Sequence, residues 1–102
     1  MSGEERKPDM TTVINKRSGL PFDVYIGRPS RWGNPFSHLP DSAAYFKVAT
    51  REEAIREFEY WIYTQPLLIA AIERELKDKV LACWCKPLAC HGDILAQIAN
   101  DL

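Results

Sequence analysis

The chain has 102 residues, which is the size of one small domain. Hydrophobic residues make up 46% and charged residues 26%, as in ordinary globular proteins, and the formal net charge is −1. This charge excludes a uniformly basic nucleic-acid coat protein, and the apolar run at 67–72 is too short to cross a membrane. No apolar segment typical of a secretory signal is found near the first residue, so we expect a cytoplasmic protein without a membrane partner.

The first elements in chain order are a tail, two strands and a loop. Residues 1–10 are polar and charged and predict a disordered tail, so the predicted domain covers 11–102. A β-prone run at 11–15 and a β-branched, aromatic segment at 22–26 predict the first two strands. Residues 28–42 hold three prolines and a glycine, so we expect a long loop there instead of regular structure.

Two helices are predicted next, one on each side of Pro66. Thr50 with Glu53 three residues later is the sequence pattern of a capping box, and apolar residues then recur at helical spacing. The first helix is predicted from the residue after Thr50 to about Tyr63. Pro66 stops this helix and can open a second one, whose apolar face runs to Leu76.

The last predicted elements are a strand and a helix. The apolar run at 79–84 predicts a strand buried on both faces, and the final helix is predicted to begin at His91 or Gly92. The long helical connection between the second and third strands implies a parallel, right-handed crossover. The predicted fold class is α/β: a single small Rossmann-like domain with a short, mostly parallel sheet of about three to four strands flanked by helices.

Two segments that could carry chemistry each follow a predicted strand. They are Gly27–Phe36 and Cys83–Asp93. If the two strands are parallel neighbours, both segments lie at the carboxyl edge of the sheet, where open α/β sheets bind their ligands. This convergence is the main reason to expect a functional site in the domain.

The first segment carries residues suited to a phosphate group. The guanidinium of Arg28 can bind phosphate through two hydrogen bonds, Gly33 permits a close approach of the backbone, and Trp32 could stack on a base. An ordinary surface loop with Trp32 fixed to the core explains the same residues equally well. The predicted ligand-binding residues are Arg28, Ser30, Arg31, Trp32, Gly33, Asn34 and, from the second segment, Lys86.

The second segment offers a thiol at the predicted start of the last helix. Free helix N–H groups and the helix dipole favour a thiolate at Cys90, next to His91, and Asp93 could cap the helix, orient an imidazole or act as a base. The predicted catalytic residues are therefore Cys90, His91 and Asp93, in a transfer or hydrolysis reaction. The sequence leaves open whether the domain is an enzyme, and simple core packing is favoured for Cys83.

A zinc site is the alternative interpretation of the same segment. Its ligands would be Cys83, Cys85, Cys90 and His91, which offer three thiols and an imidazole. The spacing argues against this site, because we expect a one-residue gap on a straight strand to splay the sulfurs of Cys83 and Cys85. No cofactor is therefore the preferred prediction, with zinc as the alternative, and we expect reduced thiols because three clustered cysteines make a poor disulfide framework.

The chain also resembles a known family through three motifs. They are Val-x-Ile-Gly-Arg-x-Ser-x-Trp-Gly-Asn-Pro-Phe at 24–36, Thr-x-x-Glu-Ala at 50–54 and Cys-x-Cys-x-Pro-x-x-Cys-His-Gly-Asp at 83–93. This pattern is similar to that of the family called domain of unknown function 4326, which occurs in bacteria and bacteriophages. The resemblance covers nearly all of the chain after residue 10 and implies no established activity.

The function favoured by the sequence is binding of a small phosphorylated or nucleotide-like ligand at the carboxyl edge of the sheet. Its rivals are a zinc-binding domain and a non-catalytic module that binds a nucleotide or a nucleic acid. A net charge of −1 and the lack of a nucleic-acid-binding motif disfavour a nucleic-acid partner without excluding it. The sequence leaves the oligomeric state open.

Overall fold

The computed structural model of the chain describes residues 10–28, 30–37 and 46–102. Within these ranges it contains a three-stranded sheet, a two-stranded sheet, a short 3-10 helix and three α-helices. This mixed α/β architecture confirms the fold class predicted from the sequence. The predicted tail at 1–10 lies outside the described residues except for Met10, so its disorder stays a prediction.

The three-stranded sheet is parallel, with the strand order β1-β5-β2. Its strands are β1 (Thr12–Asn15), β2 (Val24–Tyr25) and β5 (Val80–Cys83). The central strand β5 pairs with β1 along its whole length and with β2 at Leu81 and Ala82, which are both fully buried. The predicted parallel pairing is confirmed, and the predicted burial of this apolar strand on both faces is explained by its central position.

Thr11 fixes the start of β1 to the connection between the second helix and β5. Its hydroxyl donates a hydrogen bond to the carbonyl of Leu76 at 2.7 Å and accepts one from the backbone N–H of Asp78 at 3.0 Å. Thr11 is only 3% exposed, so water cannot reach this position. Its hydroxyl therefore supplies the hydrogen-bond partner that the Leu76 carbonyl and the Asp78 N–H need.

The helices are α1 (Arg51–Ile62), α2 (Pro66–Glu75) and α3 (His91–Asp101). The hydroxyl of Thr50 accepts from the backbone N–H of Glu53 at 3.1 Å, as the sequence predicts, whereas the Glu53 carboxylate accepts from Ala49, one residue before the cap. Pro66 opens α2, also as predicted. None of the helices in the described ranges has the length and apolar character needed to span a membrane.

The core lies where the helices meet the sheet. Helix α3 contacts β1 and both of the other helices, so it connects every part of the core. The side chains buried there are mainly aliphatic, with one phenyl and one indole ring among them: Ile26, Trp32, Phe58, Ile62, Ile72, Leu76, Leu81, Leu95 and Ile98.

A second, two-stranded parallel sheet pairs β3 (Phe36–Ser37) with β4 (Phe46–Lys47). The rings of Phe36 and Phe46 stack with their centroids 5.1 Å apart. The expectation that 28–42 holds no regular structure is therefore wrong at β3. The prolines and glycine in that stretch do disfavour local structure, but β3 is stabilised by a partner strand further along the chain, which local sequence signals do not reveal.

Candidate functional site

A cavity of about 310 Å³ lies where the neighbouring strands β2 and β5 end. Both segments singled out in the sequence line it, and α1 adds a third wall, so the two segments meet at the carboxyl edge of the sheet. Among the described residues, the lining includes two arginines and no Asp or Glu. The polar and sulfur-containing side chains in the lining that matter most here are Arg28, Asn34, Arg51, Cys83, Cys85, Cys90 and His91.

Arg28 is held at the cavity by the segment that follows it. Its Nη1 donates to the backbone carbonyl of Asn34, and its own carbonyl accepts a hydrogen bond from the Tyr25 hydroxyl at 3.1 Å. A Cβ at Gly33 would lie 2.8 Å from the Cγ of Arg28, so only glycine leaves room for this arginine to pack there. Gly33 thus positions Arg28 and does not itself line the cavity.

Asn34 connects this segment to α1. Its side-chain amide donates to the carbonyl of Ala54 at 3.2 Å, and its side-chain oxygen accepts from the backbone N–H of Phe36 at 2.9 Å. The residue is buried, with 8% exposed. Asn34 therefore fixes the cavity wall in place with hydrogen bonds that a ligand would have to share.

Four other residues predicted to bind a ligand lie outside the cavity lining: Lys86 of the second segment, and Ser30, Arg31 and Trp32 of the first. The Ser30 hydroxyl accepts from the backbone N–H of Trp32 at 3.3 Å, and the indole of Trp32 is in the core with 4% exposed. Arg31 forms an ion pair with Glu75 at 3.0 Å and lies over the Trp32 ring at 5.0 Å. Their role in ligand binding stays a prediction, whereas their contacts here are those of a packed loop.

The three cysteine sulfurs cluster at the cavity. The Sγ atoms of Cys83, Cys85 and Cys90 all lie within 4.8 Å of one another, and those of Cys83 and Cys90 are 3.3 Å apart. The expectation that a one-residue gap splays the first two sulfurs is wrong, because β5 ends at Cys83 and Cys85 follows the end of the strand. Among the described residues, no histidine or carboxylate joins this group.

The cluster stabilises one thiolate. Hydrogen bonds from the thiols of Cys83 and Cys90, together with the guanidinium of Arg51, hold the pKa of the Cys85 thiol well below its usual range, although burial opposes this. The pKa of Cys90 is raised, because its hydrogen bonds to the other two sulfurs use its proton and because it is buried. The negative charge therefore belongs on Cys85, the most exposed of the three cysteines.

Cys90 and Asp93 form a reciprocal cap at the start of α3. The Cys90 sulfur accepts from the backbone N–H of Gly92 at 3.2 Å, and a carboxylate oxygen of Asp93 accepts from the backbone N–H of Cys90 at 3.1 Å. The other carboxylate oxygen pairs with the Lys86 ammonium, and this bond raises the pKa of Lys86. Both predicted catalytic residues thus have structural partners, and their catalytic role stays a prediction.

His91 is separate from the sulfur cluster. Its Nε2 lies 2.9 Å from the backbone carbonyl of Ile26, its ring meets the edge of Phe58, and only 7% of it is exposed. Burial lowers its pKa and so favours the neutral imidazole. The ligand set that the structure assembles for a metal is therefore three cysteines without His91.

Arg51 is the site residue that sequence reasoning missed. It lines the cavity from the first turn of α1, and its positive charge helps to lower the pKa of the Cys85 thiol. A signal was present, because the positive end of a helix dipole disfavours a cation in the first turn. An arginine directly after the Thr50 cap therefore indicates a negatively charged partner from outside the helix.

Comparisons with known proteins agree with the family resemblance. The model of the family described as a domain of unknown function (DUF4326) matches residues 12–101. An uncharacterised 12.4 kDa protein from the nrdA–td intergenic region of Enterobacteria phage T4 is 36% identical over 94 residues, covering 88% of this chain and 78% of the phage protein. No solved structure matches significantly. The chain, with both cavity segments inside the matched range, belongs to this family of domains of unknown function.

Proposed function

We propose that the cavity binds a small phosphorylated or nucleotide-like ligand. The observation that carries this proposal is that Arg28 and Arg51 line one cavity from different parts of the chain, with no carboxylate among the lining residues that the structure describes. Arginine binds phosphate through paired, charge-assisted hydrogen bonds, and two of them in one cavity attract an anion more strongly than either alone. The volume of about 310 Å³ lies at the lower end of the range for small-molecule sites.

The remaining wall suits the uncharged part of such a ligand. Phe36, Ile55 and Leu88 give the cavity an apolar surface against which a base or another flat ring can pack. Cys90 and Asp93 cannot leave their cap without exposing the first N–H groups of α3, so in this proposal they shape the site. Binding of the ligand, with no specified reaction, is therefore the function proposed.

Calorimetric titration of the full-length chain with inorganic phosphate, sugar phosphates and nucleoside phosphates tests this proposal. We expect one of these probes to bind, and Arg28→Ala to weaken its affinity about tenfold or more, since a hydrogen bond to a charged group contributes roughly 1.5–3 kcal/mol. The matched control is Arg56→Ala, which removes an exposed arginine of α1. Equal affinity in the Arg28→Ala variant, or no binding of any probe, would overturn the proposal.

The sulfur cluster favours a second candidate function, which is zinc binding by Cys83, Cys85 and Cys90. A tetrahedral zinc ion with Zn–S bonds of about 2.3 Å requires sulfurs about 3.8 Å apart. The Cys83–Cys90 separation of 3.3 Å and the upper limit of 4.8 Å on all three separations each differ from that value by about 1 Å or less, so small movements of the side chains suffice. Three protein ligands with an open fourth position are typical of zinc sites that bind a substrate or water.

Metal analysis of protein purified without a histidine tag or chelator tests this candidate. We expect about one zinc ion per chain, and loss of that ion when Cys85 is replaced by Ser. Cys85 is the informative position because it lies outside β5 and is not the cap of α3, so its replacement leaves both elements intact. Metal-free protein that also fails to take up added zinc would rule out the candidate.

A further inference from the structure

We propose that the two candidate sites are one: the anionic group of the ligand binds at the open position of a metal ion held by Cys83, Cys85 and Cys90, and Arg51 binds the same anion. This inference rests on both parts of the proposed function. It names the shared element of the ligand as a terminal oxyanion, such as a phosphomonoester or a carboxylate. It also assigns Arg51 as the residue that selects for that group.

The position of Arg51 supports this arrangement. Arg51 and all three cysteines line the same cavity, and the positive charge of Arg51 helps to lower the pKa of the Cys85 thiol. A metal ion held by these sulfurs, with an oxygen at its open position, would therefore share this cavity with the guanidinium. Arginine has five N–H donors in a fixed plane, so it can donate more than one hydrogen bond to such an anion.

The environment of the cluster leaves the fourth position to a molecule in the cavity. All three cysteines line the cavity, and within the part of the chain that the structure describes no fourth histidine, cysteine or carboxylate joins them. His91, the nearest such residue in sequence, instead has its Nε2 at the carbonyl of Ile26. Lys86 and Asp93 pair with each other and so add no net charge at the site.

Formal charges explain why an arginine is needed. Three thiolates and a divalent ion carry a net charge of −1, which repels an anion. Arg28 and Arg51 in the same cavity bring the total to +1, which attracts one. Removing Arg51 makes this total zero, so anion binding should depend on Arg51 far more than metal binding does.

Cobalt(II) in place of zinc gives a direct readout. Metal-free full-length protein is titrated with cobalt(II) under argon, and thiolate-to-cobalt charge-transfer absorption reports the metal. Inorganic phosphate, acetate and a nucleoside monophosphate are then added separately, and the d–d absorption in the visible range reports a change of the fourth ligand. We expect at least one of these anions to shift the d–d bands while the charge-transfer absorption stays.

Variants separate the inference from the proposals beneath it. Arg51→Ala should weaken the anion-induced shift about tenfold or more while leaving cobalt affinity within a few-fold, and Arg56→Ala should change neither. Arg51→Lys keeps the charge but loses the planar donor set, so its anion-induced shift should be weaker than that of Arg56→Ala and stronger than that of Arg51→Ala. The His38→Ala variant is assayed in parallel, because His38 lies outside the described ranges. In this variant its imidazole is not available as a fourth ligand of the metal.

Each outcome gives a decision. Absence of charge-transfer absorption overturns the metal site and this inference together, and leaves phosphate binding in calorimetry as a separate question. Cobalt binding with no anion-induced shift, in a protein that binds phosphate by calorimetry, overturns this inference alone. A shift that appears only in His38→Ala, or one that Arg51→Ala leaves unchanged, also overturns it.

Discussion

The sulfurs of Cys83 and Cys90 are in contact at 3.3 Å, although the two residues are seven positions apart in sequence. Cys83 is the last residue of β5, and Cys90 is the cap of α3, so this contact joins the carboxyl end of a central strand to the first turn of a helix. Both side chains are buried, whereas Cys85, between them in sequence, is partly exposed at the cavity. Burial and charge therefore differ among three chemically identical side chains.

This difference predicts selective alkylation in metal-free protein. Iodoacetamide at neutral pH should modify Cys85 at least about tenfold faster than Cys83 or Cys90, because the thiolate is the nucleophile and the pKa of Cys85 is the one that is lowered. Peptide mass spectrometry over a time course measures the three rates. Bound zinc should slow all three, and equal rates in metal-free protein would contradict the assignment of the charge to Cys85.

Zinc occupancy should decrease as the pH falls. Each thiol must lose its proton to bind the metal, so protons compete with zinc and lower its apparent affinity at acidic pH. We expect full zinc occupancy near neutral pH and release of the ion under mildly acidic conditions. Dialysis at stepped pH values, with metal analysis at each step, measures this release. Zinc that stays bound in acid while Cys85→Ser has no effect would indicate ligands other than these cysteines.

Replacing Gly92 with Ala should destabilise the domain. A Cβ there would lie 2.6 Å from the Cδ1 of Ile26 and 3.1 Å from the Cγ1 of Val13, and Ile26 is fully buried. Overpacking of this kind costs about 1–3 kcal/mol, although alanine is the better helix former. Urea denaturation measures the change, with Gln97→Ala on the exposed face of α3 as the control. Equal stability of the two variants would mean that α3 shifts freely on the sheet.

Replacing Thr11 with Val should also lower the free energy of unfolding. The substitution keeps the shape but removes the hydroxyl that serves the carbonyl of Leu76 and the N–H of Asp78, which costs about 1–3 kcal/mol for buried groups left without partners. Thr64→Val is the matched control, since its hydroxyl bonds the Trp61 carbonyl on the surface. If Thr64→Val lowers the free energy of unfolding as much as Thr11→Val does, burial of the hydrogen bonds is not the cause of the loss.

Helices and parallel strands were predictable here because their signals are local. Thr50, Pro66 and the apolar run of β5 each mark an element through capping, ring geometry or hydropathy. The pairing of β3 with β4 was not predictable in this way, because it depends on contacts between residues about ten positions apart. Strands of two residues also carry too little periodicity to be recognised in a sequence.

The same distinction between local signals and contacts made only in the fold applies to the candidate site. The convergence of the two segments followed from parallel strands, and Arg28 was identified from its chemistry alone. The grouping of the sulfurs was missed because it depends on where β5 ends, and a strand two residues longer would have included Cys85. Arg51 was missed because its signal, a cation in the first turn of a helix, is offset by the two glutamates that follow it in the same turn.

The strand order β1-β5-β2 has a consequence for how the chain folds during synthesis. The middle strand is the last of the three to leave the ribosome, so β1 and β2 have no partner until residue 83 has emerged. Long-range pairing of this kind raises the contact order and slows folding compared with a helical bundle of equal length. A nascent chain that stops before β5 contains the segments of α1 and α2 but has neither the three-stranded sheet nor the cysteines at its edge, so the cavity forms only after residues 80–91 have emerged.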